Sequence, residues 1–244
     1  MKAIRIELYQ QLPNYRKPSS FLVKESYPIA PYSTVMGMIH AVCDYKETHD
    51  MKICVQGNHA SETSDLAALY NFGIKYDPTR HFAKVRNSKG EYDGINRGVR
   101  SVHLLTDVYT TIYIVPDEND YDTVLEGLRN PKNYPSLGRY EDITRIDKIE
   151  EVELEVLSDV EEEDLEDSPN LLPQDMYIPT EQISNMGSGS VYKLRKKYSL
   201  ADKGKTRQWD NLTEVRHVQS IKVPELKKEV CWFDTMNKQI VCLA

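Results

Sequence analysis

The chain has 244 residues, enough to bury a substantial core without help from a disulfide or a metal. Its four cysteines form no Cys-x-x-Cys pair and no histidine lies at metal-ligand spacing from them, so the sequence predicts reduced thiols instead of a zinc site or a disulfide framework. The N-terminal residues enter a polar-apolar alternation without an apolar run long enough for a signal peptide or a membrane span. We therefore expect a cytoplasmic protein with no cofactor, no metal site and no contact with a membrane.

The formal net charge of −7 argues against a nucleic-acid partner, but the charge is distributed unevenly along the chain. Glu150 to Asp167 holds eleven acidic residues and no basic one, so without it the charge goes from −7 to +4. Lys75 to His103 carries seven Lys and Arg against three acids, and Lys193 to His217 carries eight against three. A nucleic-acid partner is therefore compatible with the two basic segments despite the negative net charge.

The first half of the chain shows a strand, a loop, a helix and a second strand. Apolar residues alternate over 4–8, which predicts a half-buried strand. The proline-rich and aromatic segment 12–32 predicts an irregular loop. Ser33 offers a hydroxyl N-cap to a helix reaching about Asp44, because apolar residues then recur at helical spacing. Alternation over 51–56 predicts the next strand.

The next part of the chain contains a polar insertion. Segment 66–75 is ambiguous between helix and strand, and the basic segment 76–100 carries turn signals typical of a projecting hairpin. Segment 101–115 is the most strongly β-prone of the chain. A short helix over 121–128, capped by Asn119-Asp120, precedes a Pro/Gly turn and a strand over 151–156.

This order of elements, β-α-β, hairpin, β-α-turn-β, is that of a ferredoxin-like, RNA-recognition-motif fold. The sequence thus predicts an α+β fold with both helices on one face of an antiparallel sheet and the other face open. We expect a palm domain at 1–157 with a thumb hairpin inserted at about 75–101. An acidic connector at 158–175 and a small β-rich C-terminal appendage at 176–244 follow.

The turn Pro135-Ser136-Leu137-Gly138-Arg139 has two interpretations. Gly138 permits a positive φ or the close approach of a ligand, and Arg139 offers a planar fork of donors suited to phosphate. By itself such a stretch is typical of a surface turn. Its place after the second helix, near the thumb and the open face, favours a cradle for an RNA backbone. A bulky residue at Gly138 is then expected to impair RNA retention more than folding.

Three features resemble a known family. They are the proline-rich helix entry Ser26-Tyr27-Pro28-Ile29-Ala30-Pro31-Tyr32-Ser33-Thr34-Val35-Met36-Gly37-Met38-Ile39, the Leu-Gly-Arg turn at 137–139, and the basic insertion between the second and third strands. Together they resemble the Cas-five subunits of CRISPR Cascade complexes, in the superfamily of repeat-associated RNA-binding proteins. The length and the acidic insertion are most similar to the type I-B branch.

The resemblance implies a subunit that binds the 5′ handle of the CRISPR RNA and caps the foot of the complex. It also implies contacts with the Cascade backbone subunit and large subunit, and with target DNA only indirectly. In the thumb, Phe82 or Tyr92 would stack on bases. The alternatives are a plain N-cap at Ser33 and Thr34 and a solvated basic loop in the thumb. The residues expected to contact RNA, from this resemblance and from the chemistry of helix starts and basic segments, are Ser33, Thr34, Arg80, His81, Lys84, Arg86, Arg97, Arg100, Ser136, Leu137, Gly138 and Arg139.

An enzymatic alternative stays open, because some relatives in type I-C systems cleave the repeat RNA themselves. Metal-independent cleavage needs a base and an acid, for which Tyr32, His40, His81 and Lys84 are the candidates. The thumb contains no adjacent Lys-His pair like the one in those nucleases, and His40 falls within the apolar pattern of the first helix. We expect a non-catalytic subunit with a structural histidine at position 40.

Two further segments have open roles. Lys193, Arg195, Lys196 and Lys197, with Tyr192, Tyr198 and Trp209, predict a charged strand edge that blocks aggregation, or a contact with RNA or with the large subunit. The acidic run predicts a solvated loop, or a surface that docks a basic partner.

Overall fold

The computed structural model describes residues 1–161, 165, 174–185, 189–201, 206–210, 212–219 and 225–244. Within these residues the chain forms fifteen strands and two α-helices. In chain order they are β1 (Lys2–Gln10), β2 (Val23–Lys24), α1 (Tyr32–Cys43), β3 (Met51–Asn58), β4 (Ser61–Lys75), β5 (Ala83–Arg86), β6 (Tyr92–Thr106), β7 (Val108–Pro116), α2 (Tyr121–Arg129), β8 (Arg145–Val156), β9 (Asp175–Pro179), β10 (Ser190–Leu194), β11 (Tyr198–Ala201), β12 (Thr206–Trp209), β13 (Thr213–Val218), β14 (Trp232–Asp234) and β15 (Gln239–Val241).

The centre of the molecule is a block of four antiparallel strands in the order β3-β7-β1-β8. Strands β1, β3 and β8 contain the predicted alternations over 4–8, 51–56 and 151–156, and the β-prone segment 101–115 forms the end of β6 and most of β7. The predicted α+β class is confirmed. Helix α1 lies within one residue of its predicted bounds and ends where Asp44 adopts a left-handed φ of 58°. It begins one residue before Ser33, after Pro31 in an extended conformation, so the predicted hydroxyl N-cap at Ser33 is wrong.

Both helices pack on the same side of this block. The even-numbered apolar residues of β1 and β7, such as Ile4 and Ile114, are buried with the apolar stripes of α1 and α2. This is why alternation and helical spacing were readable from the sequence. Typical members of this core are Ile6, Ile39, Ile112 and Leu128.

The opposite side of the sheet is largely covered, which corrects the prediction of an open face. A second core buries Ala3, Cys54, Tyr113 and Val152 of the four central strands against residues of the C-terminal region, among them Phe233. Arg5 is buried within this layer and forms ion pairs with Glu7 and Glu150. The alternation in β1 carries polar residues on this side, and such residues are compatible with burial when they are paired.

The C-terminal region, predicted as a small β-rich appendage, adds strands to both edges of the central block. Strands β9, β13 and β10 extend the sheet beyond β3, and β14 and β15 extend it beyond β8, giving nine strands in all. The unpaired backbone groups at the edges of a four-stranded block explain this arrangement, since added strands satisfy them. Strands β11 and β12 form a separate two-stranded ribbon. Much of the predicted connector, 162–164 and 166–173, lies outside the described residues.

A long hairpin made of β4 and β6 is inserted between β3 and β7. Its strands are 15 residues each, with β5 pairing at the tip, so the hairpin spans 61–106 and is longer than the predicted 75–101. The ambiguous segment 66–75 is a strand. Most β4 side chains with a described exposure are exposed on both faces of the hairpin, so this strand shows little of the alternation that identifies a half-buried strand.

Candidate nucleic-acid interface

The glycine turn is built around the carboxylate of Asp142. Gly138 has a φ of +120°, and a Cβ added there would lie 2.7 Å from Asp142 Oδ2 and 3.1 Å from the Asn14 carbonyl oxygen. The same carboxylate accepts hydrogen bonds from the backbone N–H groups of Asn14 and Arg139. Glycine is therefore required here by the packing of the turn against the protein itself.

The Arg139 side chain is engaged within the protein. Its Nε and Nη2 donate to the two oxygens of Asp142 at 3.0 and 2.7 Å, and its Nη1 lies 3.2 Å from Glu141 Oε1. The hydrogen bonds from Arg139 to Asp142 raise the pKa of the guanidinium above its ordinary value. This is the bidentate geometry that the sequence assigned to phosphate, but a side chain of the same turn occupies it.

Leu137 is a core residue, with 0% of its surface exposed. Its backbone N–H donates to the Asp142 carbonyl and its own carbonyl accepts from the Gln10 side chain. Its apolar side chain is packed inside the protein and presents no surface to a ligand. Ser136 is half-buried and forms a β-bridge with Ile143.

The N-terminus of α1 is also occupied. The backbone N–H of Ser33 donates to the Arg195 carbonyl at 3.0 Å, and that of Thr34 to the Pro31 carbonyl at 2.9 Å. Both donors that were predicted to bind a phosphate are thus satisfied by the chain, and the segment leading to β11 lies against them.

The hairpin keeps most of its predicted cations exposed. Arg80, Lys84, Arg86 and Arg97 are exposed, and Arg100 is half-buried. In the strand pairing Arg97 lies opposite Tyr70 and Arg100 opposite Ala67, so the two arginines point to opposite faces of the hairpin. The hairpin therefore presents positive charge on both sides.

His81 is the exception among the predicted hairpin residues. It is 8% exposed, and its Nδ1 lies 2.9 Å from the Asp77 backbone nitrogen. A Cβ on Gly94 would collide with its ring, so the hairpin tip is closed around the imidazole. The ring of His81 is thus packed inside the tip, unlike the exposed cations of the hairpin.

Aromatic side chains accompany the hairpin cations. Lys84 Nζ lies 4.5 Å from the ring centroid of Tyr92 and 5.5 Å from that of Tyr76. Phe82 and Tyr92 are both exposed. The structure thus places Lys84 beside Tyr92, one of the two rings that the sequence proposed for this segment.

Three of the four candidate catalytic groups are bonded within the protein: Tyr32 and His81 are buried, and His40 is half-buried. The Tyr32 hydroxyl is fully buried and donates to the Tyr177 carbonyl. His40 Nδ1 lies 2.7 Å from the Met36 carbonyl oxygen, and its Nε2 accepts from the His49 backbone N–H. Burial lowers the pKa of His40, which keeps the imidazole neutral in this structural position.

A row of four residues crosses one end of the central sheet and was missed by the sequence reasoning. Asn58 of β3 lies opposite Tyr109 of β7, Tyr109 opposite Tyr9 of β1, and Tyr9 opposite Arg145 of β8. The two tyrosine rings are 5.1 Å apart, and the Arg145 guanidinium lies 4.8 Å from the Tyr9 ring centroid. Alternation placed Tyr9 on the face away from the helices, but only the register of the strands brings the four together.

The second basic and aromatic cluster lies over α1. Arg195 is 5.2 Å from the Trp209 ring centroid and Arg207 is 4.8 Å from that of Tyr198. A cavity of about 260 Å³ between the β11–β12 ribbon and α1 is lined in part by His40 and Trp209. The predicted alternatives for this cluster, a charged edge or a contact with RNA or a partner, stay open.

Acidic side chains, metal-ligand groups and the hydropathy of the helices also bear on what the described residues can bind. The start of the acidic run is part of β8, where Glu150 pairs with Arg5 and Glu151 with Arg129. Among the described residues, no group of three or more His, Cys, Asp or Glu side chains is placed to hold a metal ion. Neither helix in the described part of the chain has the length and hydropathy needed to cross a bilayer.

Comparison with known proteins identifies the family. Residues 3–211 match the family model described as "CRISPR-associated protein (Cas_Cas5)", whereas no curated protein matches the chain. The fold is similar to that of a chain described as "CRISPR RNA-guided surveillance complex", at 17% identity and a TM-score of 0.56, covering 89% of this chain and 90% of that one. Weaker similarity is found to "Crystal structure of a CRISPR protein from Archaeoglobus fulgidus", at 10% identity and a TM-score of 0.45, covering 100% and 99% of the two chains. The chain belongs to the Cas-five family of CRISPR-associated proteins.

Proposed function

We propose that this protein is the Cascade subunit that binds the 5′ handle of the CRISPR RNA and caps the foot of the complex. In this proposal the four-stranded block with α1 and α2 is a ferredoxin-like palm, and the β4–β6 hairpin is the thumb. The observation that carries it is the hairpin itself, which presents cations on both faces beside exposed aromatic rings. Those are the groups that bind the phosphates and bases of single-stranded RNA.

The hairpin also supports the proposed contact with the backbone subunit. Its surface carries a series of large apolar side chains at high exposure, including Leu66 at 74% and Val99 at 77%. Leu66 and Val99 share one face of the hairpin, since Val99 lies opposite Ala68 and Leu66 opposite Ser101. Exposed apolar surface of this kind is typical of a protein interface, and we assign it to the neighbouring Cascade subunit.

Handle binding is tested with the purified protein, alone and with its partner subunits. RNA bearing the repeat-derived 5′ handle is expected to bind more tightly than a scrambled RNA of equal length. Neutralising two exposed hairpin cations with R86Q and R97Q is expected to weaken binding and to lower the salt slope by about 1 for each phosphate that is no longer neutralised. The matched control is K46Q with R129Q, two exposed cations that lie outside the hairpin.

Two results would overturn the proposal. One is equal affinity for the handle RNA and the scrambled RNA. The other is an unchanged salt slope in the hairpin variant, since electrostatic contacts with phosphates must appear in that slope.

We propose further that the subunit is not a nuclease. The internal bonding of Tyr32 and His40 supports this, because a general acid or base has to reach the substrate. Repeat RNA incubated with the protein in the presence of a chelator is expected to stay intact. A discrete cut that leaves a cyclic phosphate would instead support the endoribonuclease alternative.

A further inference from the structure

The row formed by Asn58, Tyr109, Tyr9 and Arg145 lies at the edge of the layer that covers this face of the sheet. The adjacent row on the same face contains Gln56 and Thr111, which are both buried. Gln56 donates its side-chain amide to the Ile240 carbonyl of β15 at 2.6 Å. The C-terminal layer therefore covers the adjacent row on β3 and β7. The row that contains Tyr9 lies beyond this layer, with Asn58, Tyr109 and Arg145 exposed and Tyr9 half-buried.

The accessible row presents flat surfaces to solvent. Tyr109 is 52% exposed, and the Arg145 side chain is 66% exposed. Two tyrosine rings and a guanidinium plane next to each other form the kind of surface on which unpaired bases stack. The Asn58 side chain, also exposed at the end of the row, carries both a hydrogen-bond donor and an acceptor.

Two carboxylates fix the chemistry of the ligand. Asp107, held at a left-handed φ of 48°, accepts a hydrogen bond from the Tyr9 hydroxyl at 2.7 Å. Asp147 accepts from Arg145 Nη2 at 3.1 Å. Both negative charges disfavour a phosphate at this position, and both offer acceptors to the exocyclic amine of a base. The hydrogen bond with Asp107 raises the pKa of Tyr9 above its ordinary value.

We propose that Tyr9, Tyr109 and Arg145 form a stacking platform for one unpaired nucleobase of the bound RNA, with Asp107 and Asp147 keeping the phosphate outside. This inference rests on the proposed RNA-binding function and adds a separate base-binding position to it. The hairpin supplies cations for the backbone together with its own exposed rings, and the sheet row adds a second set of planes for a base.

The test is a double-mutant cycle between the protein and the RNA. Tyr109→Ala is expected to weaken binding of the handle RNA by about 5- to 150-fold, the range for removing an aromatic side chain that stacks on a base. Tyr109→Phe keeps the ring and is expected to bind as the wild type does. One abasic position in the RNA is expected to weaken binding to the wild type but to cause no further loss with Tyr109→Ala.

The controls separate stacking from general damage. Tyr134→Ala removes a ring that is 88% exposed in the turn after α2 and is expected to bind RNA with wild-type affinity. If Tyr109→Ala lowers the melting temperature, the cycle is repeated with Arg145→Gln, whose side chain is largely solvated.

The possible failures are distinct. In the first, the wild type prefers handle RNA, but at every abasic position of the RNA the loss of affinity adds to the loss caused by Tyr109→Ala. That result refutes the platform and leaves the proposed function standing. Should the wild type show no preference for handle RNA, the proposed function is refuted and the platform with it. Loss of a partner subunit instead of RNA in Tyr109→Ala would assign the row to a protein contact and would also refute the platform.

Discussion

The turn at 135–142 and the hairpin at 61–106 contain the same types of residue but differ in what their polar groups contact. In the turn, the Arg139 guanidinium and the backbone donors are bonded to Asp142 and Glu141. In the hairpin, the cations are exposed, and Lys84 lies over aromatic rings. The comparison shows that the glycine-arginine motif of the turn makes intramolecular contacts that stabilise the fold. The accessible positive charge lies instead in the basic hairpin, whose sequence contains no recognisable motif.

Among the substitutions in the turn and the hairpin, removing Asp142 should cause the largest loss of stability. Asp142→Ala removes the bidentate partner of Arg139, which keeps Glu141, and leaves the backbone N–H groups of Asn14 and Arg139 without their acceptor. The free energy of unfolding is expected to fall by about 2–4 kcal/mol. The folded protein is expected to bind handle RNA normally. Urea denaturation and RNA titration of the same preparation measure the two effects.

Glu141→Ala is the matched control for Asp142→Ala. Glu141 pairs with the same arginine but is far more exposed, so its loss is expected to change the free energy of unfolding by less than about 1 kcal/mol. If the Asp142→Ala protein kept wild-type stability but lost RNA binding, the turn would be an RNA contact and not a structural element.

Gly138→Ala tests the turn from the backbone side. An alanine side chain is disfavoured at this positive φ and would lie too close to Asp142, so the substitution is expected to lower the free energy of unfolding by about 1–3 kcal/mol. The RNA affinity of the folded protein is expected to be unchanged. Thermal melting and RNA titration measure both. This expectation replaces the one drawn from the sequence, in which RNA retention suffers more than folding.

Gly37→Ala provides the control for the glycine substitution. Gly37 lies on the exposed side of α1, and among the described residues no atom is within 4 Å of an added Cβ. Alanine is the better helix former, so this variant is expected to gain up to about 1 kcal/mol. A loss of RNA affinity confined to Gly138→Ala, without a loss of stability, would restore the cradle interpretation.

The smallest effect on stability is expected in the hairpin. Leu66→Thr with Val99→Thr keeps the strand propensity of both positions and removes exposed apolar surface, so the free energy of unfolding is expected to change by less than about 0.5 kcal/mol. Assembly with the backbone subunit is expected to weaken. Size-exclusion chromatography of the mixed subunits measures this, and wild-type assembly would argue that another surface makes the contact.

Local patterns predicted the parts of the fold that depend on local physics. The alternation of Ile4, Ile6 and Leu8 and the helical spacing in α1 located the central elements, since each reflects one buried face. The covered second face was missed because Arg5 and Glu7 look solvated in the sequence. The burial of Arg5 depends on residues more than 140 positions away, such as Glu150.

The candidate site was predicted only in part for the same reason. Exposed cations in the hairpin follow from composition, so Arg86 and Arg97 were identified correctly as accessible. The partner of Arg139 is three residues away, but nothing in the sequence distinguishes a carboxylate that binds the arginine from one that faces water. The row containing Tyr9 and Tyr109 depends on strand register, which a single sequence does not specify.

Ultraviolet crosslinking of the handle RNA in the assembled complex, followed by mass spectrometry, tests the central claim most directly. We predict crosslinked peptides from the β4–β6 hairpin and from the start of β7 around Tyr109. Crosslinks concentrated at 133–142, with none in the hairpin, would contradict the account.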